Sequence, residues 1–119
     1  MIMSMAQGLG RLAVGDSAGE IMILNQRDNK VLHRWVAHQG PVRRLSAYGD
    51  RWLSAGADGS TALWDAECRV IWRRRFGDHA INDAVLDSNQ VLFVGGDRGG
   101  VARLDPHRPW RRPGEHGRA

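Results

Sequence analysis

The chain has 119 residues, 42% hydrophobic and 25% charged, with a net charge of +4 and one cysteine, Cys68. That is enough for one domain with a modest core. No stretch approaches the ~18 apolar residues of a membrane helix, and a lone cysteine permits no internal disulfide, which suits a reducing, cytoplasmic setting.

Residues 1–6 are apolar. They carry no basic leader segment and are short for a signal peptide, so they read as a strand. Residues 11–15 and 20–24 form the next two strands, followed by a polar turn at 25–29 and a fourth strand at 30–36. A second group begins at Ala37-His38-Gln39-Gly40-Pro41. Its strands fall at 42–47, 51–55, 60–64 and 69–76. Ala57-Asp58-Gly59 is turn chemistry between two apolar runs, a strong hairpin signal. Thr61-Ala62-Leu63-Trp64 alternates small or polar with large, as in a half-buried strand. The third group follows Gly77-Asp78-His79, with strands at 81–86, 91–94 and 101–104. Pro106, Pro109 and Pro113 stand where its fourth strand would lie, and proline cannot donate to a ladder. Residues 106–119 are therefore expected to form an irregular Pro/Arg-rich tail, disordered from Gly114 onward.

The three groups are copies of one unit. Gly19, Gly59 and Gly99 recur every 40 residues, as do Leu24, Trp64 and Leu104, and Asn25, Asp65 and Asp105. Ile81, Ala84 and Leu86 follow Val42, Leu45 and Ala47 by 39. On this alignment the outer hairpins carry one residue more in their turns than the middle one, which puts Phe93 at the place of Ser54. A unit of this length with four strands and a closing Trp-Asp is the pattern of one propeller blade. On these residues the chain resembles the WD-repeat β-propeller family over roughly residues 1–105, most closely in the middle repeat. The expected fold is all-β: three four-stranded antiparallel blades spanning about 1–36, 37–76 and 77–105. Propellers usually close with ~4 to 8 blades, so three make an incomplete ring: the chain is either a piece of a longer propeller or finishes the ring with other copies or chains. Two copies would supply six blades.

In that family a blade can hold a polar relay, and the matching positions here are His38, Ser54, Asp58 and Trp64. An indole N–H, a hydroxyl, an imidazole and a carboxylate can satisfy one another in a chain, where each alone would be costly to bury. Ala37 departs from the glycine usual before this histidine. A Ser-His-Asp triad is the other reading, but there is no nucleophile elbow and the relay ends on an indole. The Gly-rich run from Gly95 to Gly100 lacks the lysine and hydroxyl of a phosphate loop and reads as a hairpin turn. The histidines show no metal-ligand spacing, so neither metal nor cofactor is expected.

Of the 17 basic residues, all but Lys30 are arginine. The bias suits phosphate or carboxylate contacts, and it also follows from codon usage in a GC-rich genome. Arg73, Arg74 and Arg75, flanked by Trp72 and Phe76, form a candidate basic patch that Arg108, Arg111 and Arg112 could extend. Charge on an outer edge strand also blocks edge-to-edge pairing. The resemblance implies a non-enzymatic interaction scaffold with protein partners and copies of itself, and no membrane role. It places a partner-binding face at Gln39, Pro41 and Ala57, with His79, Ala80 and Gly96 in the third blade. The alternative is a nucleic-acid-binding propeller using the arginines. An enzyme or sugar-binding site would need an acidic and aromatic cluster, for which only Asn82 and Asp83 offer themselves.

Overall fold

The alternating and β-branched runs become strands in a computed structural model, which describes residues 1–76, 80–86, 92–96 and 101–104. No helix occurs among the described residues. The strands are β1 (Ile2–Gly8), β2 (Arg11–Asp16), β3 (Glu20–Asn25), β4 (Val31–Val36), β5 (Val42–Tyr48), β6 (Arg51–Gly56), β7 (Ser60–Trp64), β8 (Val70–Arg75), β9 (Ile81–Leu86), β10 (Leu92–Gly96) and β11 (Val101–Leu104). They form three antiparallel meanders, β1-β2-β3-β4, β5-β6-β7-β8 and β9-β10-β11. The third sheet has three described strands, near the 81–86, 91–94 and 101–104 read from the sequence, and residues 106–119, where prolines stand in place of a fourth, lie outside the described part.

Turn chemistry sets where the outer strands begin. Asp65 Oδ1 accepts the backbone N–H groups of Glu67 at 3.0 Å and Arg69 at 2.8 Å. Its equivalent, Asn25, accepts the N–H of Arg27 at 2.9 Å. Each turn then passes through a left-handed residue, Cys68 at φ 65° and Asn29 at φ 62°. Side chains that bond their own backbone two residues on favour such turns.

The pairing corrects the alignment of the hairpins. Leu12 pairs with Leu24, Trp52 with Trp64 and Leu92 with Leu104. The 40-residue offset therefore holds through each hairpin, with no extra turn residue in the outer two. Val14 and Val94, rather than Phe93, occupy the place of Ser54, pairing with Met22 and Ala102 as Ser54 pairs with Ala62. The odd residue lies in the third repeat between its inner and second strands, because Ala47 pairs with Trp52 but Leu86 with Leu92.

The sheets stack face to face, and the middle one is covered on both sides. One face contributes Val42, Leu45, Trp52, Ala62 and Trp64 to a core shared with Ala13, Ile21 and Ile23 of the first sheet. The other contributes Leu53, Ala55 and Leu63 to a core shared with Ile81 and Ala84 of the third. Strand β7 is buried at every position, so the half-exposed strand expected from its alternation is instead an interior one. Polar links cross both junctions. The Ser4 hydroxyl donates to the Val42 carbonyl at 2.8 Å and Arg11 Nη1 to the Ala66 carbonyl at 3.0 Å. Arg44 grips Asp83 with two bonds of 3.0 and 3.2 Å, and Arg43 Nη1 donates to Asn82 Oδ1 at 2.7 Å.

This layering predicts unequal sensitivity to truncation. Leu53→Ala, inside the second core, is expected to lower unfolding free energy by about 2–4 kcal/mol. Val70→Ala, on the exposed outer strand, should change it by no more than about 0.5 kcal/mol. Urea unfolding followed by tryptophan fluorescence measures both.

Candidate functional site

Strands β6 and β7 present Ser54 and Trp64 on the same face, and the segment between the first two sheets lays His38 across them. Trp64 Nε1 donates to Ser54 Oγ at 2.8 Å, and Ser54 Oγ lies 2.8 Å from His38 Nε2. The other ring nitrogen, Nδ1, lies 3.1 Å from Asp58 Oδ1 and 2.9 Å from Ser60 Oγ. Having accepted the indole proton, the Ser54 hydroxyl gives its own to Nε2. That assigns the ring proton to Nδ1, aimed at Asp58. Ser60, absent from the sequence reading, closes the network by donating from Oγ to Asp58 Oδ1 at 2.8 Å. Its signal was available, as a hydroxyl two residues after a turn aspartate. The far oxygen of Asp58 accepts the Gln39 N–H at 2.9 Å, which ties the relay to the loop above it.

The neighbouring backbone has no room to spare. A Cβ on Gly56 would stand 2.5 Å from His38 Nδ1 and 2.7 Å from Asp58 Oδ1, so any side chain there displaces the imidazole. Burial lowers the His38 pKa, aided by the nearby Arg73 charge and only partly opposed by Asp58. The ring is therefore neutral near pH 7. Burial also pushes the Asp58 carboxyl upward, but the hydrogen bonds from Gln39 and Ser60 outweigh it and hold the group below its usual range.

The arrangement is a structural tie without catalytic access. Ser54 is completely buried and His38 nearly so, which leaves no approach for a substrate. Burial pushes the Cys68 thiol up to about 11, so it too is no activated nucleophile. Asn82 and Asp83 are taken up by Arg43 and Arg44 across the sheet junction.

At the end of the middle sheet the Ala57 N–H donates to the Pro41 carbonyl at 2.9 Å, which joins Pro41 to Ala57, and Gln39 is tied in beside them through its bond to Asp58. Gln39 is exposed and the other two half-buried. In the third sheet Gly96 is half-buried, Ala80 is buried and offers little to a partner, and His79 lies outside the described residues.

The arginine run does not make one surface. Arg73 pairs with Ala62 and Arg74 with Thr61, so successive side chains point to opposite faces. Arg73 Nη2 donates to the Ala37 carbonyl at 2.7 Å, and its guanidinium lies 5.4 Å from the centre of the Trp64 ring. Trp35 meets the same ring edge-on at 5.2 Å. Arg73 thus closes the relay's indole from outside by a cation–π contact. Arg108, Arg111 and Arg112 lie outside the described residues.

No family model matches the chain. Shk1 kinase-binding protein 15 of Schizosaccharomyces pombe is 31% identical over 61 residues, covering 51% of this chain and 18% of that protein. A probable inactive serine/threonine-protein kinase, lvsG of Dictyostelium discoideum, is 28% identical over 100 residues, covering 79% of this chain and 4% of that one. The chain thus spans less than a fifth of these relatives. Among solved structures, a computationally designed protein, Ika8, superposes with a TM-score of 0.81 at 19% identity, over 87% of this chain and 33% of its own. Saccharomyces cerevisiae Sqt1 gives 0.78 at 16%, over 87% and 31%. The U3-55K structure gives 0.76 at 21%, over 86% and 33%. Sqt1 and U3-55K are propellers of the WD type. The likeness is one of fold, and it identifies the stacked sheets as blades of an open, partial propeller.

The relay generates a pH prediction. His38 is depressed in the folded chain, so between that value and the unfolded value of 6.5 the unfolded state binds more protons. Stability contributed by the neutral ring is present above the unfolded pKa and is lost as pH falls through the folded one. Urea midpoints should therefore fall from pH 7 to pH 5. His38→Gln should be less stable at pH 7 but show a flatter profile over that interval. A profile as steep as the parent's would remove His38 as the titrating group.

Proposed function

We propose that the chain is a non-enzymatic protein-interaction scaffold, a partial propeller completed by further copies of itself or by a partner chain. The observation that carries this is the unfinished stacking. The middle blade is covered on two faces, whereas the first blade is covered on one. The face turned away from the middle blade carries Ile2, Met5 and Val14 on its inner two strands and Met22 and Leu24 on its third. The equivalent residues of the middle blade, Val42, Leu45, Ser54, Ala62 and Trp64, are all buried. Ile2 and Met5 instead stand 60% and 55% exposed. A contiguous apolar face of this kind marks an association surface.

Two further points support a protein partner. The buried Ser54 and the raised Cys68 thiol supply no activated nucleophile. One relative is a kinase-binding protein by name, which is in keeping with a scaffold. The nucleic-acid reading loses Arg73 to the Ala37 carbonyl and the Trp64 ring, and Arg44 to Asp83.

Two copies give six blades, within the usual range, and three give nine, beyond it. Light scattering across a dilution series is expected to give twice the 13.2 kDa chain mass at micromolar concentration. A stable monomer at every concentration would rule out completion by self-association and leave completion by a partner chain.

A further inference from the structure

One contact recurs along the stack, and it is unfinished at both ends. The first paired residue of each inner strand is Ile2, Val42 and Ile81, opposite Asp16, Gly56 and Gly96, and a register shift follows at that pair in every sheet. Each second strand holds a small residue in one register position: Gly15 opposite Ile21, Ala55 opposite Thr61 and Gly95 opposite Val101. Where two sheets meet, the inner-strand residue of the later one seats on the small residue of the earlier one. Val42 fills the space above Gly15, its Cβ and Cγ1 both 2.7 Å from where a glycine Cβ would be, and it is fully buried. Ile81, 3% exposed, packs in one cluster with Ala55.

The two loose ends are complementary. Ile2 has the shape and register of Val42 and Ile81 but is 60% exposed. Gly95 has the register of Gly15, yet among the described residues nothing lies within 4 Å of a Cβ built on it. Around Ile2 a depression of about 220 Å³ has an apolar side of Met1, Val14 and Met22 and a charged side of Asp16 and the Glu20–Arg34 ion pair. Opposite Gly95 on the adjoining inner strand stands Asp83, gripped by Arg44, and Val85 two residues further on is 48% exposed.

We propose that the exposed face of the first blade docks a second copy of this chain head-to-tail, with Ile2 of one copy seated on Gly95 of the other. The contact extends the junction already made twice within the chain, so the occupant needs the surface of a following or preceding blade, and a second copy supplies one. This rests on the self-association reading above and adds its polarity. A head-to-tail contact is heterologous, and it stays finite only if the ring closes. In a pair of copies it would occur twice.

The test is analytical ultracentrifugation of the full chain and five variants, with circular dichroism as a check of folding. Ile2→Arg alters a side chain already in solvent and should leave the fold intact while weakening association roughly 30-fold or more, as for a central interface residue. Gly95→Ala should be tolerated, because Ala55 receives Ile81 in the same way. Ile2→Ala and Gly95→Leu should each weaken association, and the two combined should recover part of the loss, a non-additivity expected only of residues in contact. If the chain self-associates but Ile2→Arg leaves its affinity unchanged, or the swapped pair shows simple additivity, another face is used and this contact is wrong while self-association stands. A parent chain that stays monomeric overturns both.

Discussion

A strand pair with protein on both faces has no water to satisfy what it buries, and the β6–β7 hairpin is in that position. Its faces carry Trp52, Ala62 and Trp64 on one side and Leu53, Ala55 and Leu63 on the other, and its polar side chains must find partners inside the stack. On the first face Ser54 and Trp64 do. Ser54 takes the Trp64 indole proton and passes the chain of bonds through His38 and Ser60 to Asp58. The indoles of Trp35, Trp52 and Trp72 have no bonded partner among the described residues, which sets Trp64 apart from them. The relay also joins segments distant in sequence, since Asp58 accepts the Gln39 N–H and Arg73 reaches the Ala37 carbonyl. The linker between the first two blades is thus fastened to the turn and the outer strand of the second.

The outer blades solve an easier problem in a plainer way. Valines at positions 14 and 94 replace the serine and leucines at 24 and 104 the tryptophan, so these hairpins carry no buried hydroxyl or indole at those places. Their hold on the middle blade comes from apolar packing and from polar links at the rims, such as Arg44 with Asp83. Such exposed pairs contribute little each. Cohesion therefore depends on the two cores.

The arginine content takes on a structural explanation that no charge count contains. Arg44 and Arg69 face carboxylates of Asp83 and Asp65, Arg11 and Arg73 reach backbone carbonyls, and Arg43 meets Asn82. A guanidinium with its several donors can span a junction and satisfy such groups at once, which a lysine does less well. The fold uses arginine as a connector between strands and sheets, and a run such as Arg73-Arg74-Arg75 divides between two faces because side chains alternate along a strand.

The sequence alone determined the repeat and the strand order. A 40-residue period with fixed turn residues is visible without any contact being known, and Asp58-Gly59 specifies its hairpin through local conformational preference. The relay positions His38, Ser54, Asp58 and Trp64 came from the resemblance to the WD-repeat family, and they make physical sense because buried polar groups must come in matched sets. Tertiary structure decided the rest. Alternation in 61–64 suggested one wet face, but whether a face is wet depends on what stacks against it, and both faces of β7 proved dry. The place of Ser54 in the outer blades was one residue out for a similar reason. Aligned letters cannot tell which turn holds an extra residue, whereas cross-strand pairing can. The roles of Ser60 and Arg73 depend on distances between segments far apart in the chain, and those distances exist only once the sheets are stacked.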